Sequence, residues 1–170
     1  MTITSSLREQ YQEHTDVTAT RAWAAGDDDA IPGDCWRACL ASLLEVPIVD
    51  VPHFVALYPD VDDGLGPTLG PQWWRASIAW VGKVRPGWTL AAWDVPAPWT
   101  PIDPTPGDAP DRVILSGRST RGDWSHAVLV WDADGTLAHD PFPGGAGVRE
   151  PYVDRITLIR RAVGTDRGQA

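Results

Sequence analysis

The first half of the chain carries apolar residues at helical spacing, and the second half carries them in short runs that read as strands. Trp36, Cys39, Leu40, Leu43 and Leu44 fall on one face of a helix, which predicts a helix from about Cys35 to Glu45. Gly33 and Asp34 precede it, and Asp34 is the expected N-cap because its carboxylate can accept an N–H of the first turn. Pro47 stops it. The stretch 50–58 reads as a short second helix. Trp74, Ile78 and Val81 predict a third over Gln72–Val84, with Gly82 and Pro86 marking its end. Residues 87–93, Arg112–Ser116, His126–Trp131, Thr136–His139 and Arg155–Arg161 are the expected strands. Asp132-Ala133-Asp134-Gly135 is a hairpin signal between two of them. Between these elements, residues 61–71 form a turn-rich loop. Residues 95–110 hold six prolines, too many for regular structure, and are expected as a rigid loop or cleft wall.

The pattern predicts a single α+β domain over residues 26–163, in which an N-terminal helix packs on a mostly antiparallel β-sheet. A polar N-terminal arm, residues 1–25, precedes it as a mobile or peripheral element, and residues 164–170 form a disordered tail. A chain of 170 residues can enclose a core without disulfides, and 43% hydrophobic content is that of a folded chain. Ten tryptophans against two phenylalanines imply indoles in the core and some lining a cleft. Net charge is −9, which disfavours nucleic acid and anionic membrane surfaces as partners. No segment approaches the ~18 apolar residues of a membrane span, and the N-terminus lacks the pattern of a signal peptide. Two cysteines four residues apart share a helix face and do not make a disulfide framework, so a cytoplasmic protein with reduced thiols is expected.

Three short blocks carry candidate chemistry. Cys35 opens the first predicted helix, where unpaired N–H groups and the helix dipole favour a thiolate. Cys39, one turn further in, has no such advantage and reads as a structural thiol. His126 opens an apolar strand behind the polar segment 117–124, where an imidazole can face a cleft and act as base and then acid. Asp140 lies across the hairpin, within reach of a neighbouring strand, and can orient the ring. His139 is adjacent and should face the other way.

Gly33-Asp34-Cys35-Trp36, Ser125-His126-Ala127-Val128 and His139-Asp140-Pro141 resemble the three blocks of the papain-like cysteine peptidase superfamily, in particular its small bacterial and phage branches that include C39-like peptidases. The resemblance covers about residues 30–145. It implies a papain-like fold and a cysteine-dependent acyl hydrolase that cleaves an amide, peptide or isopeptide bond through a Cys35 thioester, with His126 and Asp140 completing the site. In one respect the chain departs from the pattern. The superfamily places a Gln several residues before the cysteine to complete the oxyanion hole, whereas residues 26–34 contain none and the nearest upstream is Gln12. The Cys35 N–H supplies one donor; Asp34, Trp36 and Gln72 are the candidates for the second. Losing one such donor typically costs about a hundred-fold or more in rate.

Trp73, Trp74 and Trp124 are candidate walls of a substrate groove. Gly144-Gly145-Ala146-Gly147 lacks the Lys-Ser/Thr of a phosphate loop and is expected as a mobile flap. Asp27-Asp28-Asp29 is read as a solvated turn. The cysteine spacing does not suit zinc, so neither metal nor cofactor is expected. The partner is a peptide or small amide substrate. Two alternatives use the same fold: an acyltransferase or amide-forming enzyme with the same Cys-His-Asp site, and a non-catalytic binding protein.

Overall fold

A computed structural model describes residues 8–25, 30, 32–58, 71–102 and 111–160. The acidic triplet 27–29, most of the turn-rich loop, the last part of the proline-rich stretch and the tail lie outside the described residues. The described chain is α+β. Helices α1 (Val17–Ala24), α2 (Cys35–Leu44), α3 (Phe54–Leu57) and α4 (Gln72–Val84) precede strands β1 (Trp88–Trp93), β2 (Arg112–Ser119), β3 (Ser125–Trp131), β4 (Leu137–His139) and β5 (Val148–Arg160). The strands form one sheet in the order β1-β5-β2-β3-β4, and every neighbouring pair is antiparallel.

The helical half covers one face of this sheet. Helix α2 packs on β3 and β2, α4 packs on β1, and α3 leans on α4. The apolar stripe anticipated for α2 is buried, with Cys39 and Leu40 fully enclosed beside Ile114, Leu129, Ile156 and Leu158. Each such leucine or isoleucine removed from water contributes about 1.5–3 kcal/mol. The other face buries Val113, Leu115, Val128 and Val130 under Val95, Trp99 and Ile102. Residues 95–102 of the proline-rich stretch therefore cover part of the second sheet face. Its Trp99 indole donates to the Asp132 carbonyl (2.8 Å), and the Ile102 N–H donates to the Asp132 carboxylate at 3.1 Å. Among the described residues no single helix is long and apolar enough to cross a membrane.

Three elements differ from expectation. Residues 50–58 are split into a 3-10 turn at Ile48–Asp50 and the single turn α3, because Pro52 interrupts them. Strand β5 begins seven residues earlier than its alternating pattern: its first part pairs only with the end of β2, across two register shifts.

The third difference is the polar N-terminal segment, which over residues 8–16 is largely exposed but hydrogen-bonded to the body of the fold. The Gln10 N–H donates to Ser42 Oγ (2.8 Å), and the Gln12 N–H donates to the Pro141 carbonyl (2.9 Å). Arg112 donates to the Arg8 carbonyl at 2.6 Å, and His139 to the Gln10 carbonyl at 3.0 Å. The segment is thus laid across α2 and the β4 end as a hydrogen-bonded strap, followed by α1.

Candidate active site

Asp34 begins the local construction, in a role different from the one expected. It does not cap α2 with its side chain. Its carboxylate is fully buried and turns to the strap, accepting the N–H groups of His14 (3.0 Å) and Glu13 (3.2 Å). Arg37, one turn along α2, completes the clamp by pairing with Glu13 at 2.6 Å and approaching Asp34 at 3.5 Å. The first-turn N–H groups are consequently left for another acceptor. The Gln12 carboxamide supplies it. One end of this group stands 3.1 Å from the Cys35 nitrogen and 3.2 Å from the Asp34 nitrogen, and because both are donors that end is the oxygen.

Cys35 is therefore the first residue of α2, partly exposed, with its N–H held by a side chain from the strap. Cys39 is wholly buried, and burial pushes its thiol well above the ordinary range, with the charges of Cys35 and Asp140 acting in the same direction. The two cysteines thus differ in exposure.

His126 is buried at the start of β3 and lines the same cleft as Cys35. Its Nε2 lies 2.9 Å from Asp140 Oδ1, which leaves Nδ1 for the sulfur. Burial favours the neutral ring, but hydrogen bonds to Asp140 and Cys35, together with their charges, outweigh it and lift His126 to about 9. Asp140 is also mostly buried. Burial alone would raise it, yet the His126 contact and two main-chain donors hold it below the ordinary carboxylate range. Those donors are the N–H groups of Phe142 (2.9 Å) and Gly147 (2.8 Å).

The glycine-rich segment is thus a cradle for Asp140 and not a flap. A Cβ on Gly145 would stand 2.2 Å from Asp140 Oδ2, and Gly144 and Gly147 adopt positive φ values of 72° and 81°. Only glycine allows the backbone to approach the carboxylate so closely. His139 faces the opposite way, onto the strap, with Tyr11 packed edge-on against it.

Cys35, His126, Gln12 and Trp124 line one cleft, together with Arg121 and Phe142. The other anticipated residues lie elsewhere. The Trp36 indole N–H donates to Ser77 Oγ (3.1 Å) in the core and is not free for an oxyanion. Gln72 is exposed at the start of α4, outside the cleft lining. Trp73 and Trp74 pack around Trp36, with ring centroids 5.3 and 6.0 Å away, and are not in the lining of this cleft. Sequence reasoning passed over Gln12 and Arg121. Gln12 was the nearest upstream glutamine, but nothing in its polar surroundings marked it as reaching the start of α2. No family model, curated protein or solved structure matches the chain.

Proposed function

We propose that the protein is a papain-like, cysteine-dependent acyl hydrolase acting on an amide or peptide bond. The observation that carries this reading is the meeting in one cleft of Cys35, the first residue of α2, and His126, whose ring is hydrogen-bonded to the cradled carboxylate of Asp140. Cys35 reacts as the thiolate of an ion pair in which the His126 imidazolium already holds the proton, and the sulfur attacks the substrate carbonyl carbon, forming the C–S bond. The imidazolium then donates its proton to the leaving nitrogen as the C–N bond breaks. Water, deprotonated by His126, attacks the thioester, releasing the acid and restoring the thiol. Asp140 keeps the ring in the tautomer that presents Nδ1 to the sulfur.

The developing oxyanion takes the Cys35 N–H as its first donor. Gln12 is the second. At rest its oxygen covers that N–H; a half-turn of the carboxamide with a slight withdrawal presents Nε2 beside it. Reaction with p-nitrophenyl acetate tests the reading. A burst of nitrophenol with acetyl transferred to Cys35, absent in Cys35→Ala and strongly slowed in His126→Ala, is expected. Acetylation independent of Cys35 would refute it.

A further inference from the structure

Arg121 stands in the connection between β2 and β3, its N–H donating to Ser119 Oγ at 3.1 Å. The connection is closed by Ser119 N–H to the Trp124 carbonyl (2.9 Å). Arg149 of β5 fastens it from one side, donating to the Ser119 carbonyl at 3.0 Å and pairing with Asp123 at 2.8 Å. Arg118 also approaches Asp123, at 3.4 Å. The carboxylate nearest to Arg121 in sequence is therefore already engaged by two other arginines.

The Arg121 guanidinium itself sits 3.8 Å from the centre of the Phe142 ring, with Nη2 3.3 Å from His126 Nε2. That ring nitrogen cannot serve both neighbours. Asp140, at 2.9 Å, requires Nε2–H to donate, whereas a guanidinium has only donors. The Asp140 contact is the shorter one, and its carboxylate is fixed by two further N–H groups. Arg121 is thus left beside the ring without a true hydrogen bond to it. Its Nε and Nη1 are buried and have no hydrogen-bond partner among the described residues either. A cation that has lost water and gained no anion is a costly arrangement. It makes chemical sense where the anion arrives with a ligand.

The surroundings have the matching sign. The chain carries a net charge of −9, yet the cleft is lined by Arg121, His14 and His126, and among the described residues no Asp or Glu lines it. Asp140 lies behind His126, and Glu13 is paired with Arg37. A cleft whose charge opposes that of the whole molecule focuses the field on its ligand.

We infer that Arg121 is a specificity-determining residue, binding a carboxylate on the substrate beside the scissile amide while Cys35 attacks the carbonyl. The inference rests on the reading of Cys35 as the nucleophile. A planar carboxylate matches the guanidinium fork, and it comes either from the substrate's own C-terminus on the leaving side or from an acidic side chain on the acyl side.

Alkylation of Cys35 by iodoacetate and by iodoacetamide separates charge recognition from thiol chemistry, because the two reagents share a reacting carbon and a leaving group and differ in charge. The iodoacetate-to-iodoacetamide rate ratio at Cys35 is expected to fall on the order of ten-fold in Arg121→Gln, as for one partly screened charge near the reacting atoms, and to be retained in Arg121→Lys. The neutral reagent corrects for any change in the thiol. Slow iodoacetamide labelling that is indifferent to His126→Ala would sink the nucleophile reading; an unchanged ratio in Arg121→Gln would sink the recognition reading. Chloroacetyl-glycine against chloroacetyl-glycinamide reports a leaving-side carboxylate, and glutamyl against glutaminyl chloromethyl ketones report an acyl-side one. An Arg121-dependent preference in either pair identifies the source, and a preference in neither overturns the inference.

Discussion

At the scale of residues, the site depends on one carboxylate being held in one place. Asp140 is pinned by the N–H groups of Phe142 and Gly147, with Gly145 against it. A methyl group at Gly145 can be accommodated only by displacing the carboxylate from His126. The consequence is readable in pH. His126 is lifted from 6.5 to about 9 against the pull of burial. Between those values the folded site holds a proton that the unfolded chain releases, so the associated stability is fully present below about 6.5 and is lost as pH rises through about 9. In the proposed reaction this is also the proton that the leaving group takes, so it is lost over the same upper range. Turnover should therefore decline above about pH 9 in the wild type. In Gly145→Ala that alkaline limb should move to lower pH, with kcat reduced and the fold retained. A limb unmoved in Gly145→Ala, measured by a pH profile of kcat, would remove Asp140 from its orienting role.

At the scale of elements, the strap of residues 8–16 is as much a part of the site as α2 and β3. Asp34 reaches from α2 to the strap's main chain, and Gln12 reaches from the strap to the α2 N–H groups. The two contacts are reciprocal, and each closes donors that the other element leaves open. Loss of the Gln12 donor should slow turnover by about a hundred-fold. Gln12→Ala and Gln12→Glu should suffer alike, because a carboxylate keeps the acceptor and lacks the N–H. Activity preserved in Gln12→Glu would show that Gln12 serves only to cap the helix. Asp34→Ala would strand two strap N–H groups, each costing about 1–3 kcal/mol when buried and unpaired. It should lower the melting temperature as well as the rate.

At the scale of the whole molecule, what was legible in the sequence followed the range of the forces involved. Helices α2 and α4 declare themselves because their apolar stripes are local, and α4 spans Gln72–Val84 as its spacing implied. The β3–β4 hairpin is legible through its turn residues, with Gly135 at φ 72°. Cys35, His126 and Asp140 could be named because a helix start, a strand start and a hairpin set their positions. The strap could not. Its anchors are Ser42, Asp34, Arg112, His139 and the Pro141 carbonyl, all distant in sequence, and its own residues are polar enough to pass for an exposed arm. The same holds for the start of β5, whose pairing with β2 runs through register shifts that break any alternation. The expected Asp34 side-chain cap failed for the same reason, since a long-range partner competed for the carboxylate.

The central claim is that Cys35 is a nucleophile poised by His126. Site-resolved iodoacetamide labelling at about pH 6, where an ordinary thiol is almost wholly protonated, tests it most directly. Cys35 should be labelled more than about ten-fold faster than an ordinary thiol, with Cys39 protected in the native state by burial, and the advantage should disappear in His126→Ala. Equal, slow labelling of both cysteines, unaffected by His126→Ala, would contradict it.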